Sequence, residues 1–225
     1  MQSPPENPSK TPSVGRMAFS DAFVGELDAL FRWRRDVRAF RTDPVPEETL
    51  AEILAAAGEA PSVGLSEPWR IVRVRSPAAR DAVRASFDRT NARALAGYSG
   101  ERAHLYASLK LAGIDRAPEQ FAVYSDHADL QGHGLGQLTM PETRDYSAVC
   151  AVMLMWLAAR ARGLGIGWVS ILDEGEIAAA LDVPDEWRLI AYLCLGWPER
   201  ESATAELETA GWECRRRVAD RILER

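Results

Sequence analysis

Apolar residues recur at helical spacing downstream of Ser20, at Phe23, Leu27, Leu30 and Phe31, and the serine can cap a helix that starts there. Residues 47–57 repeat the pattern through Leu50, Ile53, Leu54 and Ala57. The stiff connector Asp43-Pro44-Val45-Pro46 separates the two, since proline disfavours helix in the residue before it. Helical periodicity returns over residues 77–96, 101–111, 143–162 and 173–181, with Gly163 as the stop signal of the third. Short apolar runs at residues 69–74, 120–125 and 188–195 read as strands, and the glycine-rich LGIGWVSIL at residues 164–172 turns into another. Residues 60–68, rich in Pro, Gly and Ser, form a loop. Residues 126–142 carry glycines at 132, 134 and 136, two histidines and no periodicity, so a long loop or lid is expected there. From Gly196 onward the chain is charged and is expected to wrap something, such as a second subunit. Helices and strands mix without a regular alternation, which argues for an α+β fold over a doubly wound sheet.

Composition narrows the class. With 225 residues, 47% hydrophobic and 27% charged, the chain reads as one globular domain over residues 19–225, preceded by a flexible tail over residues 1–18. A net charge of −6 disfavours nucleic acid as the main partner. The longest apolar run, residues 148–159, has 12 residues, short of the ~20 that span a bilayer, and the tail lacks the apolar stretch of a signal peptide. Cys150, Cys194 and Cys214 are scattered and odd in number, with no zinc spacing and no pair to staple, so a cytoplasmic protein without structural metal is expected.

Only Lys10 and Lys110 are lysines, so local arginine clusters carry the positive charge. Arg32, Arg34, Arg35, Arg38 and Arg41 fall within ten residues, and guanidinium groups bind phosphate through paired charge-assisted hydrogen bonds. On a helical turn Arg34 and Arg38 share a face and converge on one phosphate; a solvated basic surface is the competing reading. Asp36 is the one acid among them, either a salt-bridge partner or a reactive carboxylate held ionised. The loop containing Ser62, Val63 and Leu65 offers backbone N–H groups and hydroxyls to a planar ring, or is an ordinary surface loop. The run from Gly163 to Ser170 is not a dinucleotide fingerprint, because it follows a helix and opens a strand, yet Gly165 and Gly167 permit close backbone approach by a flat ligand. His127 and His133, with Asp126 and Asp129, match no metal motif, and His104 reads as structural.

Taken in order, Arg34-Arg35-Asp36-Val37-Arg38-Ala39-Phe40, the loop from Ala60-Pro61-Ser62 to Pro68-Trp69, and Gly165-Ile166-Gly167-Trp168 resemble the R-x-S-x-R-x-F, APS…PW and G-x-G-W elements of the FMN-dependent nitroreductase superfamily. The resemblance covers roughly residues 25–200. Asp36 in place of the usual serine, Ser170, the stretch at residues 109–126 and the tail around Glu206, Leu207, Gly211 and Trp212 resemble its 5,6-dimethylbenzimidazole synthase (flavin destructase) branch. This resemblance implies a nitroreductase-like α+β fold with a central mixed sheet flanked by helices, in an interlocked homodimer with FMN at the subunit interface. It implies oxygen-dependent fragmentation of reduced FMN to 5,6-dimethylbenzimidazole, the lower ligand of cobalamin, and erythrose 4-phosphate. It further implies dioxygen as the co-substrate and a separate flavin reductase as the source of the reduced flavin. The FMN contacts implied are Arg34, Arg35, Asp36, Val37, Arg38, Ser62, Val63, Leu65, Lys110, Gly167, Ser170 and Arg215, with Asp36 and Ser170 as the catalytic pair. The competing functions are an NAD(P)H-dependent nitroreductase that keeps its FMN and a non-catalytic flavin carrier.

Overall fold

The computed structural model describes residues 18–109 and 113–225, so nearly all of the expected N-terminal tail and Lys110 lie outside the described residues. Helix α1 (Asp21–Trp33) starts where the sequence places it, with Ser20 Oγ accepting from the Phe23 N–H at 3.2 Å. Helix α2 (Glu47–Ala55) follows the proline connector and tightens into a 3-10 turn over Ala56–Glu59. Strand β1 (Trp69–Arg73), helix α3 (Pro77–Ala96) and helix α4 (Gly100–Ser108) come next, then strand β2 (Glu119–Asp126). Helix α5 (Thr143–Ala161) leads into strand β3 (Gly165–Val169), helix α6 (Glu174–Leu181) and strand β4 (Trp187–Gly196). A short helix α7 (Glu206–Thr209) lies in the C-terminal stretch.

The strands form one sheet in the order β1-β2-β4-β3, and each ladder is antiparallel. The parallel component expected of a mixed sheet is confined to an isolated bridge between Asp36 and Ile166. The central strands are buried on both faces, which accounts for the unbroken apolar run of β4. Side chains alternate across a strand, so Phe121, Val123, Leu193 and Leu195 enter one core with Leu50 and Ile53 of α2 and Met155 of α5. Ala122, Tyr124, Tyr192 and Cys194 enter the other, with Val83 and Phe87 of α3 and Ile177 of α6. Full burial of such a side chain stabilises the fold by about 1.5–3 kcal/mol, so these two layers hold the sheet as a rigid platform.

Helix α1 is the exception to the amphipathic reading. None of its residues is fully buried, and Phe23, Phe31 and Trp33 of its apolar face are exposed. Residues 36–40 leave α1 and are clipped to the sheet at both ends, by the Asp36–Ile166 bridge and by an antiparallel bridge from Phe40 to Pro198. Phe40 is fully buried, and its ring fits only because Gly113 lacks a side chain: a Cβ there would lie 2.3 Å from the ring.

The buried groups set an alkaline limit on stability. Burial pushes the Cys194 thiol up from 9.0 to about 12 and the Tyr124 hydroxyl up from 10.0 to about 12, and it raises Tyr192 as well. These folded-state values lie above the unfolded ones, so the stabilisation is complete below the unfolded pKa values and is lost as pH rises through that window. The urea midpoint is expected to fall between about pH 8 and about pH 11, and a constant midpoint across that range would contradict the burial of these groups.

Candidate active site

Arg34 leaves α1 in extended geometry (φ −65°, ψ 124°), and the arginine-rich segment continues extended. The expectation that Arg34 and Arg38 share the face of a helical turn is therefore corrected. The cause is strand-like pairing: the Val37 N–H donates to the Ile166 carbonyl at 3.1 Å, and the chain runs beside β3. Asp36 and Arg38, two positions apart in this segment, meet through their side chains. Asp36 is held there by two donors. Its Oδ1 accepts from the Trp168 N–H at 2.8 Å, and its Oδ2 accepts from Arg38 Nε at 3.0 Å. The carboxylate remains 34% exposed.

Arg35, Asp36, Val37 and Arg38 line a cavity of about 570 Å³ whose far wall includes Ser108 at the end of α4 and Thr209 of α7. That volume falls in the range of small-molecule sites, about 300–1,000 Å³. Trp156 of α5 supports the segment from below: the Arg34 guanidinium lies 4.8 Å over its ring, and its Nε1–H donates to the Arg35 carbonyl at 3.1 Å. Burial lowers the Arg34 pKa, the like charge of Arg215 lowers it further, and Asp36 opposes both. Arg35 is lowered by burial, then by Arg215 and Arg34, with Glu208 opposing. Three guanidinium groups thus crowd one another, which an anionic ligand would relieve. Arg35 Nε is buried without a hydrogen-bond partner among the described residues, and one of its amino groups donates to the Ala203 carbonyl. An orphaned cationic donor beside this cavity fits the phosphate of a flavin mononucleotide.

Gly167 sits behind this segment, and its lack of a side chain has an intramolecular cause. A Cβ there would lie 2.1 Å from the Val37 carbonyl oxygen, so the chain's own backbone makes use of the close approach that glycine permits. Ser170 is exposed just past the end of β3, two residues beyond the Trp168 N–H that holds Asp36.

Ser62, Val63 and Leu65 are not brought to this cavity. Their turn is pinned near the start of α5, where the Val63 N–H donates to Ser147 Oγ at 3.1 Å. Trp156, under the arginines, is nine residues further along α5, a rise of about 14 Å. Leu65 adopts a left-handed backbone (φ 56°) and is 73% exposed. The long loop before α5 rests on this turn: Gln131 Nε2 donates to the Leu65 carbonyl at 2.8 Å, and Gly132 packs against the Gly64 carbonyl. Arg144 fixes the loop from below, donating to the carbonyls of Asp126 and Asp129 and to the Gln137 side chain. Within one chain, the loop covers the Ser62–Leu65 turn and is not part of the Asp36 cavity lining. His127 meets Asp145 at 2.8 Å, whose other oxygen takes Arg188, while Asp126 and Asp129 both pair with Arg70. Asp126, Asp129 and Asp145 are thus engaged by side chains of this chain. His104 meets the Gly100 carbonyl within its own helix.

A model of the nitroreductase family matches residues 31–197. The chain belongs to the nitroreductase family. Among curated relatives, this oxidoreductase is 58% identical to the 5,6-dimethylbenzimidazole synthase of Rhodospirillum rubrum, over 88% of this chain and 94% of that protein. It is 45% identical to a protein of the same name from Rhodobacter capsulatus, over 88% of this chain and 95% of the relative. Of solved structures, an iodotyrosine deiodinase bound to FMN and 3-iodo-L-tyrosine superposes with a TM-score of 0.66 at 24% identity, covering 78% of this chain and 91% of the other. A nitroreductase-like protein from Exiguobacterium sibiricum, in complex with FMN, gives a TM-score of 0.65 at 16% identity over 88% and 96% of the two chains. These likenesses establish the fold of this nitroreductase-family chain. No helix among its described residues is long and apolar enough to cross a membrane.

Sequence reasoning missed Trp156, the Trp168 N–H and Ser108, which reach the site through tertiary contacts. The clash at Gly167 supplies a test. Gly167→Ala is expected to lose about 2–3 kcal/mol or more, because backbone cannot move aside. Gly25→Ala, in α1 with nothing within 4 Å, is expected to gain up to about 1 kcal/mol. Urea unfolding of both variants checks the pair, and equal effects would contradict the packing of Val37 on β3.

Proposed function

We propose that this nitroreductase-family enzyme makes 5,6-dimethylbenzimidazole, the lower ligand of cobalamin, by oxygen-dependent fragmentation of reduced FMN, with erythrose 4-phosphate as the second product. The observation that carries this reading is the 58% identity, over 88% of the chain, with a relative of that name. Asp36, at the position where the superfamily resemblance puts serine, supports it by lining the arginine cavity.

Arg34, Arg35 and Arg215 would hold the phosphate, with Arg38 fixing Asp36 beside the ring. When bound, reduced FMN supplies both the electrons for dioxygen and the carbon skeleton of the benzimidazole. A carboxylate has roughly four acceptor sites. The two donors on Asp36 leave capacity to take a proton from the substrate and return it, which a serine hydroxyl does poorly near neutral pH. Ser170 would hydrogen-bond the reacting end. Reduced flavin would arrive from a separate reductase, and no metal is invoked.

The Ser62–Leu65 turn stands away from the arginines of its own chain, so the ring-lining contacts are assigned to a second copy. Apolar side chains on the outer face of α5 (Tyr146, Val149, Met153) and on α1 (Phe23, Phe31, Trp33) are exposed in one copy and suit a homodimer interface.

Mixing the protein with chemically reduced FMN in air decides among the readings. Dimethylbenzimidazole with loss of flavin is the expected result. Intact FMN with NAD(P)H oxidation would instead indicate a nitroreductase, and intact FMN without turnover a carrier. Asp36→Asn keeps an acceptor for the Trp168 N–H. It is expected to bind FMN within about threefold of the parent while product formation falls at least ~100-fold. Product at the parental rate would remove Asp36 from the chemistry.

A further inference from the structure

An aromatic joint stands at the far wall of the cavity, unexplained by any of the contacts above. Helix α7 ends in a Schellman turn: the Gly211 N–H donates to the Glu208 carbonyl at 3.1 Å and the Trp212 N–H to the Leu207 carbonyl at 2.8 Å, with Gly211 at φ 76°. The turn seats Trp212 against two tyrosines from α4 and the bend before it. Its ring meets Tyr98 edge-on at 5.6 Å and Tyr106 at 6.1 Å, while the tyrosines stack at 4.8 Å. The Arg102 guanidinium lies 4.6 Å over the indole and donates to the Trp212 carbonyl at 3.0 Å. Tyr106 is anchored in turn by donating its hydroxyl proton to Asn91 Oδ1 of α3 at 2.9 Å.

A four-residue helix is far too short to be stable by itself, so α7 takes its position from this joint. The two elements that the joint ties together both line the cavity, through Ser108 and Leu109 just after Tyr106 and through Thr209 and Ala210 just before Trp212. Three residues past Trp212 comes Arg215, whose N–H donates back to Glu208 Oε1 at 3.4 Å. Its positive charge acts on both Arg34 and Arg35, and Arg35 lines the same cavity as Thr209 and Ala210.

We propose that Trp212 is a positioning residue for the flavin phosphate: wedged between Tyr98, Tyr106 and Arg102, it holds α7 and Arg215 against the Arg34–Arg35 side of the cavity. This rests on the FMN reading above. A mobile C-terminal arginine would have to be ordered at each binding event, whereas one fixed by an aromatic wedge is already in place. Trp212 itself touches no ligand.

The test compares oxidised FMN with riboflavin, which shares the ring and lacks the phosphate, by flavin fluorescence titration of the full chain. The parent is expected to prefer FMN by about tenfold or more, the effect of a phosphate held by several charge-assisted bonds. Arg215→Gln and Trp212→Ala are each expected to cut that preference by about fivefold while leaving riboflavin binding unchanged, and the double variant to cut it no further. Trp212→Phe, which keeps a ring in the wedge, is expected to restore most of the preference. Melting curves identify any variant that fails to fold, in which case Trp212→Phe and Arg102→Gln carry the comparison, the latter expected to lower the FMN preference. If Trp212→Ala keeps the parental preference while Arg215→Gln loses it, or weakens both flavins alike, the positioning role is overturned. A parent that binds FMN and riboflavin equally would instead overturn the phosphate assignment itself.

Discussion

The carboxylate of Asp36 accepts one hydrogen bond from the backbone of β3 and one from Arg38, two residues along its own segment. Without it, the extended stretch after α1 would keep a single backbone bond to the strand at this end and lose its rotational register. The register decides which side chain meets the Trp168 N–H, because a one-residue slip in an extended chain turns each of them over. A hydrogen bond to a charged group contributes about 1.5–3 kcal/mol when sheltered, and less here because about a third of the carboxylate is open to water. The carboxylate proposed to act on the flavin is thereby also part of the framework that places the cations. The double duty follows from composition: in a segment so rich in guanidinium groups, a lone carboxylate is drawn to the nearest of them.

Rigidity beneath this segment comes from a sheet covered on both sides. Trp156 and Trp168 meet at 6.3 Å between ring centres, one on α5 and one on β3, and Trp156 forms the floor under Arg34. The same α5 carries, near its other end, the serine that pins the Ser62–Leu65 turn. Helix α5 is therefore a spacer between two clusters of unlike chemistry, one cationic and one made of small and apolar groups. Its outward face carries the exposed side chains of Tyr146, Val149 and Met153.

Much of this was legible in the chain. The helices and strands that bury both faces or one clear face fell within a few residues of their expected limits, since periodicity reports burial. The arginine cluster, Asp36 and the two loops were singled out by composition and by resemblance. The conformation of residues 34–38 was not legible, because spacing of four suits a helix as well as it suits alternate positions on a strand. Only the pairing with Ile166, more than a hundred residues away, chooses between them. Gly167 reads as a site of close approach, and the Val37 backbone that approaches it is not legible, since sequence does not say what approaches. Trp212 stands out in sequence only through the resemblance of its tail, and its contact with Tyr98 and Tyr106 has no local signal, as aromatic residues scattered over a long stretch declare a shared contact only once folded.

The pairing of residue 37 with residue 165 has an inheritance attached to it. A Cβ on Gly165 would lie 2.5 Å from the Val37 γ-methyl, so the two positions divide one fixed volume between them. Neither can drift alone: a methyl acquired at 165 demands one surrendered at 37. Variants that exchange material between these positions stay within reach of evolution or of a designer, whereas at Gly167 the obstacle is main chain and no compensating substitution exists.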